Sequence, residues 1–92
     1  MNYKIETVRA LSVGTVAQDV NVNYRGFLMQ NLSDTATVYF REKDADGKDC
    51  TAQNGFALPP GAVQERVYTA HTLSLVASAA GADVRILLVD IG

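Results

Sequence analysis

Breaks in the chain constrain this sequence most. Turn-forming dipeptides recur about every 8–12 residues, and the apolar residues between them alternate with a period of two. An amphipathic helix needs a 3.6-residue period sustained over about eleven positions, which is hard to find here. The run Thr35-Ala36-Thr37-Val38-Tyr39-Phe40-Arg41 sets Ala36, Val38 and Phe40 on one face and Thr35, Thr37, Tyr39 and Arg41 on the other. Residues 72–77 place Leu73, Leu75 and Ala77 together. Residues 26–32 begin apolar on both faces, as a central strand does. Asp46-Gly47 reads as a type I′ hairpin turn, which needs positive φ at both positions. Asn54-Gly55 is a second such dipeptide, Pro59-Pro60-Gly61 is a break that no helix or central strand accepts, and Gly81-Ala82-Asp83 separates the last two strands.

The expected segments are residues 3–10, 13–17, 24–32, 35–43, 49–53, 55–58, 63–69, 72–79 and 83–91, of which about seven or eight form strands. Residues 11–16 read equally well as a loop. Together they predict one all-β domain over residues 1–92, a small antiparallel β-sandwich of jelly-roll-like or Greek-key type.

With 92 residues, the chain buries roughly 60–65% of the surface its unfolded form exposes, enough for one modest core. Eight Lys+Arg against ten Asp+Glu give a net charge of −2, which supplies no basic stripe for a phosphate backbone, so nucleic acid is not an expected partner. The longest nearly uninterrupted apolar run, residues 86–91 with Asp90 inside it, falls far short of the roughly 20 residues that span a bilayer, so no membrane is expected either. The N-terminus carries no apolar stretch with a cleavage site, and a lone Cys50 forms no internal disulfide. The chain is therefore expected to be made in the cytoplasm without a signal peptide.

No catalytic motif emerges, and neither a cofactor nor a metal is expected. The segment Asp44-Ala45-Asp46-Gly47-Lys48-Asp49 offers three carboxylates to calcium, but an EF-hand loop puts Gly sixth and Glu twelfth. Here Gly47 is fourth and Gly55 twelfth, so a solvated turn is the expectation. His71 has no partner constellation and reads as part of a strand connection. Cys50, beside a charged turn, reads as exposed, with no identifiable base to activate it. Tyr39 and Tyr68 could pair across strands, or stack a carbohydrate or other ligand if the protein is a small binding module.

The last strand is anomalous. Val84, Ile86 and Leu88 fall on one face, and Leu87, Val89 and Ile91 on the other. A sandwich buries only one side of each sheet, so one row needs further cover. Either residues 3–10 or 11–23 fold back over it, or another molecule covers it. The expectation is a homo-oligomer that buries Leu87, Val89 and Ile91.

The order of motifs resembles a known group. Tyr24-Arg25-Gly26-Phe27-Leu28-Met29-Gln30-Asn31-Leu32-Ser33 precedes a strand ending in Tyr39-Phe40. Gly55-Phe56-Ala57-Leu58-Pro59-Pro60-Gly61 and Leu73-Ser74-Leu75-Val76-Ala77-Ser78 follow. This series is similar to the small β-sandwich structural modules of tailed phages and prophages, and the likeness covers about residues 13–90. The extra proline in Leu58-Pro59-Pro60-Gly61 departs from that group's turn. The resemblance implies a non-enzymatic, virion-associated component of head-decoration or fibre type. Such a component assembles as a symmetric oligomer and meets other virion proteins. It carries over no catalytic residue. Arg25 and Asn31 are expected to fix strand ends by hydrogen bonding.

Overall fold

The computed structural model describes residues 3–23, 26–44, 46–66 and 71–91, with backbone alone for 3–7, 66, 90 and 91. Eight strands form in chain order: β1 (Tyr3–Val13), β2 (Gln18–Asn21), β3 (Gly26–Asn31), β4 (Val38–Glu42), β5 (Phe56–Leu58), β6 (Val63–Arg66), β7 (Thr72–Ala77) and β8 (Ala82–Ile91). They make two four-stranded antiparallel sheets ordered β1-β8-β3-β6 and β2-β7-β4-β5. Strands β1 and β8, β2 and β7, β3 and β6, and β4 and β5 are all partners. Half of the chain therefore pairs, strand by strand, with the other half running back. That is the jelly-roll arrangement of an antiparallel sandwich.

The core is the layer between the sheets. Phe27 and Met29 from β3 and Val84, Ile86 and Leu88 from β8 close on it from one side. Val38 and Phe40 from β4 and Leu73 and Leu75 from β7 close on it from the other. These are the rows that the alternation predicts. In β7 the opposite row is buried as well, because the segment between β4 and β5 lies over it and the Cys50 N–H donates to Ser74 Oγ at 2.8 Å.

Three expected segments change. Residues 14–17 are a connection, and β2 begins at Gln18. Only Val20 among its four residues is buried, so its pairing with β7, not its own pattern, makes it a strand. Residues 49–53 form no strand because Thr51 Oγ1 accepts from the Gln53 and Asn54 N–H groups at 3.2 Å each, curling the backbone into turns. The Asp46-Gly47 pair sits inside the long β4–β5 connection, and of the two only Gly47 has positive φ, at 71°. No two-residue type I′ hairpin forms there.

The two prolines do make a defined turn. Pro60 and Gly61 are its central residues, Gly61 has φ 79°, and the Ala62 N–H donates to the Pro59 carbonyl at 3.0 Å. Proline followed by a positive-φ glycine is the type II pattern. This turn carries the chain from β5 in one sheet to β6 in the other.

Candidate functional site

The two apolar rows of β8 separate as the alternation requires. Val84, Ile86 and Leu88 are fully buried, while Leu87 and Val89 are half-buried on the outer face. Ile91 lies opposite Tyr3 in the register, and its side chain is outside the described set. Neither of the two stretches that could have folded over this row does so. β1 lies edge to edge with β8 in the same sheet, and β2 belongs to the other sheet.

Register builds a larger patch around Leu87. Val8 of β1 stands opposite it on one side and Leu28 of β3 on the other, so the three form a line across three strands. On β6 the row ends at Glu65, opposite Leu28, and Val63, opposite Gln30, adds an apolar side chain at the patch's edge. Val8 is 60% exposed and Val63 55%. These apolar side chains, with Gln30 and Arg85, bound a shallow groove of about 370 Å³. Arg85 leans on Asp83 through contacts of 3.2 and 3.3 Å, which leaves the groove floor apolar with a charge-balanced rim. Val8, Leu28 and Val63 gave no separate signal in the sequence, because only the register brings them beside Leu87.

The acidic segment does other work. The Asp44 carboxylate accepts the backbone N–H groups of His71 at 2.6 Å and Thr72 at 3.1 Å, pinning the start of β7. Asp46 accepts the Lys48 N–H and the Arg41 guanidinium, which together hold its carboxyl below the usual range. Asp49 and Asp19 share the Lys43 ammonium at 3.0 and 2.9 Å, raising the lysine's pKa through those hydrogen bonds, Asp19's first. These three carboxylates therefore point to different partners. Among the described residues, no three His, Cys, Asp or Glu side chains gather into a group that could hold a metal ion.

His71 sits in the connection before β7, with Nδ1 3.0 Å from Thr72 Oγ1. Cys50, expected to be exposed, is only 2% accessible. Burial pushes its thiol up to about 11, the reverse of an activated nucleophile. Tyr39 is half-buried on the outer face of its sheet, between Ala57 and Val76 in the register. Tyr68 and Arg25 lie outside the described residues, so the tyrosine pairing and the Arg25 contact fall outside them too.

Asn31 meets its expectation. Its Nδ2 donates to the carbonyls of Ala36 and Leu58, each at 2.9 Å, and its Oδ1 accepts the Ser33 N–H at 3.0 Å. It therefore ties the end of β3 to the approach to β4 and to the end of β5.

One more feature lies at the β5–β6 side of the sandwich, where the two sheets part. Phe27, Phe40 and Phe56 step outwards there in two edge-to-face contacts, with centroids 6.2 and 5.6 Å apart. No local pattern announces this cleft, because its lining comes from five strands split between the sheets and from Asn54 in the β4–β5 connection. Among the described residues no helix is long and apolar enough to cross a membrane. No protein-family model matches the chain, and neither a curated protein nor a solved structure does.

Proposed function

We propose that this chain is a non-enzymatic structural protein that assembles with copies of itself through the outer face of the β1-β8-β3-β6 sheet. The observation that carries this reading is the apolar patch around Leu87, contributed by all four strands of that sheet. Water-facing sheet positions ordinarily hold polar residues, and an exposed apolar patch with a polar rim, here Gln30, Arg85 and Glu65, marks an interface. A second copy offers the same patch, so a twofold contact matches apolar with apolar without any other protein.

The resemblance to tailed-phage and prophage modules supplies the biological setting of the proposal. On that resemblance we propose that the oligomer belongs in or on a virion, beside other virion proteins. Substitution tests the contact surface. Leu87→Glu and Val89→Glu each alter a half-buried outer position and leave the core rows intact. Each should raise the oligomer's dissociation constant on the order of 100-fold or more, because an unpaired carboxylate is then buried in the contact. Sedimentation velocity reads the outcome as a shift to monomer. A variant that folds and retains the wild-type oligomer would contradict this choice of surface.

A further inference from the structure

We propose that the cleft at the β5–β6 side of the sandwich is a binding site for a neutral saccharide ring. This site is separate from the outer sheet face, and neither proposal depends on the other. The cleft measures about 410 Å³, within the roughly 300–1,000 Å³ of small-molecule sites. Its floor is the buried pair Phe27 and Phe40, and its wall is Phe56, which is 58% exposed.

The walls break the pattern that built the rest of the core. In the register, Gln64 stands opposite Met29 and Glu42 opposite Leu73. Both Met29 and Leu73 point into the sandwich, so Gln64 and Glu42 share the interlayer face that β3, β7 and β8 line with apolar side chains along their middles. Both line the cleft, with Arg41 and Asn54 beside them. Polar residues at inward positions, beside an aromatic ring that stays exposed although it stands opposite core-facing Phe40, mark a departure from folding rules of the kind found at functional sites.

The aromatic wall is held in place. The Thr51 N–H donates to Asn54 Oδ1 at 2.7 Å, Asn54 Nδ2 donates to the Asp49 carbonyl at 3.1 Å, and the Gly55 N–H donates to the Thr51 carbonyl at 3.0 Å. At Gly55 a Cβ would fall 2.5 Å from Cys50 Sγ and 2.9 Å from Tyr39 Cβ. Only glycine lets the loop lie this close to the sheet, and the next residue is Phe56. A ring fixed before the ligand arrives loses little freedom on binding.

The chemistry of the lining selects the ligand. Phe56 offers a flat apolar surface to a C–H face. Arg41 spends Nη2 on Asp46, at 3.0 and 2.9 Å, which balances its charge and removes the pull on a phosphate or carboxylate. Gln64 Nε2 donates to the Glu65 carbonyl at 3.0 Å, which leaves its Oε1 and second N–H, with the Arg41 N–H groups not held by Asp46, to bond hydroxyls in either sense. A wholly apolar guest would strand these polar groups. A ring with one apolar face and hydroxyls around its edge satisfies both walls, which is the build of a pyranose.

A glycan array probed with the intact labelled protein identifies the sugar. Titration of the 15N-labelled protein with that sugar's methyl glycoside then maps the site. The expected result is saturable shifts centred on residues 27, 40–42, 54–56 and 64. Phe56→Ala should weaken binding at least tenfold with the fold retained, and Gln64→Ala, which removes no aromatic packing, should weaken it severalfold. Absence of saturable binding to any glycan would overturn the proposal. So would saturable shifts mapping elsewhere, binding that survives both substitutions, or shifts in the cleft with sodium phosphate but with no sugar. The solution mass does not enter these outcomes, so they stand apart from the test of self-assembly.

Discussion

The Asn31 carboxamide is fully buried and uses both ends, donating twice from Nδ2 and accepting at Oδ1. Around it the backbone closes the same junction, with the Gly61 N–H donating to the Asn31 carbonyl at 2.8 Å and the Asn31 N–H donating to the Ala62 carbonyl at 3.0 Å. Asn31→Ala would strand two buried carbonyls and an N–H. We expect a loss of about 2–4 kcal/mol, a fall in Tm on the order of 10–20 °C, measured by calorimetry. An unchanged Tm would show that water replaces the carboxamide without cost. Cys50 gives a second expectation. Its thiol is buried and its pKa raised from 9.0 to about 11, so the unfolded chain releases this proton at lower pH than the folded one. The thiol's contribution to stability is therefore complete below pH 9 and declines as pH rises from 9 towards 11. At pH 8 iodoacetamide should leave Cys50 unmodified in the native protein and alkylate it in denaturant. Rapid native alkylation would contradict its burial.

Among the elements, β8 separates stability from assembly most cleanly, because neighbouring residues face opposite ways. Ile86→Ala opens a cavity between the sheets and should cost about 2–5 kcal/mol at any protein concentration. Leu87→Glu should instead abolish the dependence of Tm on concentration that an oligomer shows. A denaturation series over a hundredfold range of concentration distinguishes the two, and a wild-type Tm that does not move with concentration would count against assembly.

How far such elements could be read from sequence depends on where their information sits. The inner rows of β4 and β8 and both apolar rows of β8 were legible, since alternation within one strand is local. β2 was not, because Gln18-Asp19-Val20-Asn21 carries one core residue and owes its form to β7. Residues 49–53 misled because Thr51 and Cys50 suit a strand, whereas side-chain bonds to the backbone prevail there. The candidate surfaces follow the same division. Leu87, Val89 and Ile91 stood out within one strand, but Val8, Leu28 and Val63 join them only through register. Phe56 and Gln64 meet across two sheets.

At the scale of the whole molecule, folding one half of the chain back on the other gives a sandwich with long-range pairings at its centre. It encloses a single core. A chain with 48% hydrophobic residues in such a thin body, 16 Å along its shortest axis, has more apolar surface than one interlayer hides. Part of that surface, Val8 and Val63 with the half-buried Leu28, Leu87 and Val89, lies on the outer face of the sheet that holds β8, and we propose that a second copy covers it.

The solution mass of the wild-type protein tests this most directly, by light scattering after size exclusion over a range of loading concentrations. A self-assembling sandwich gives an integral multiple of 9.9 kDa, collapsing towards one copy in Leu87→Glu. A wild-type mass of one copy that persists at several hundred micromolar would contradict it.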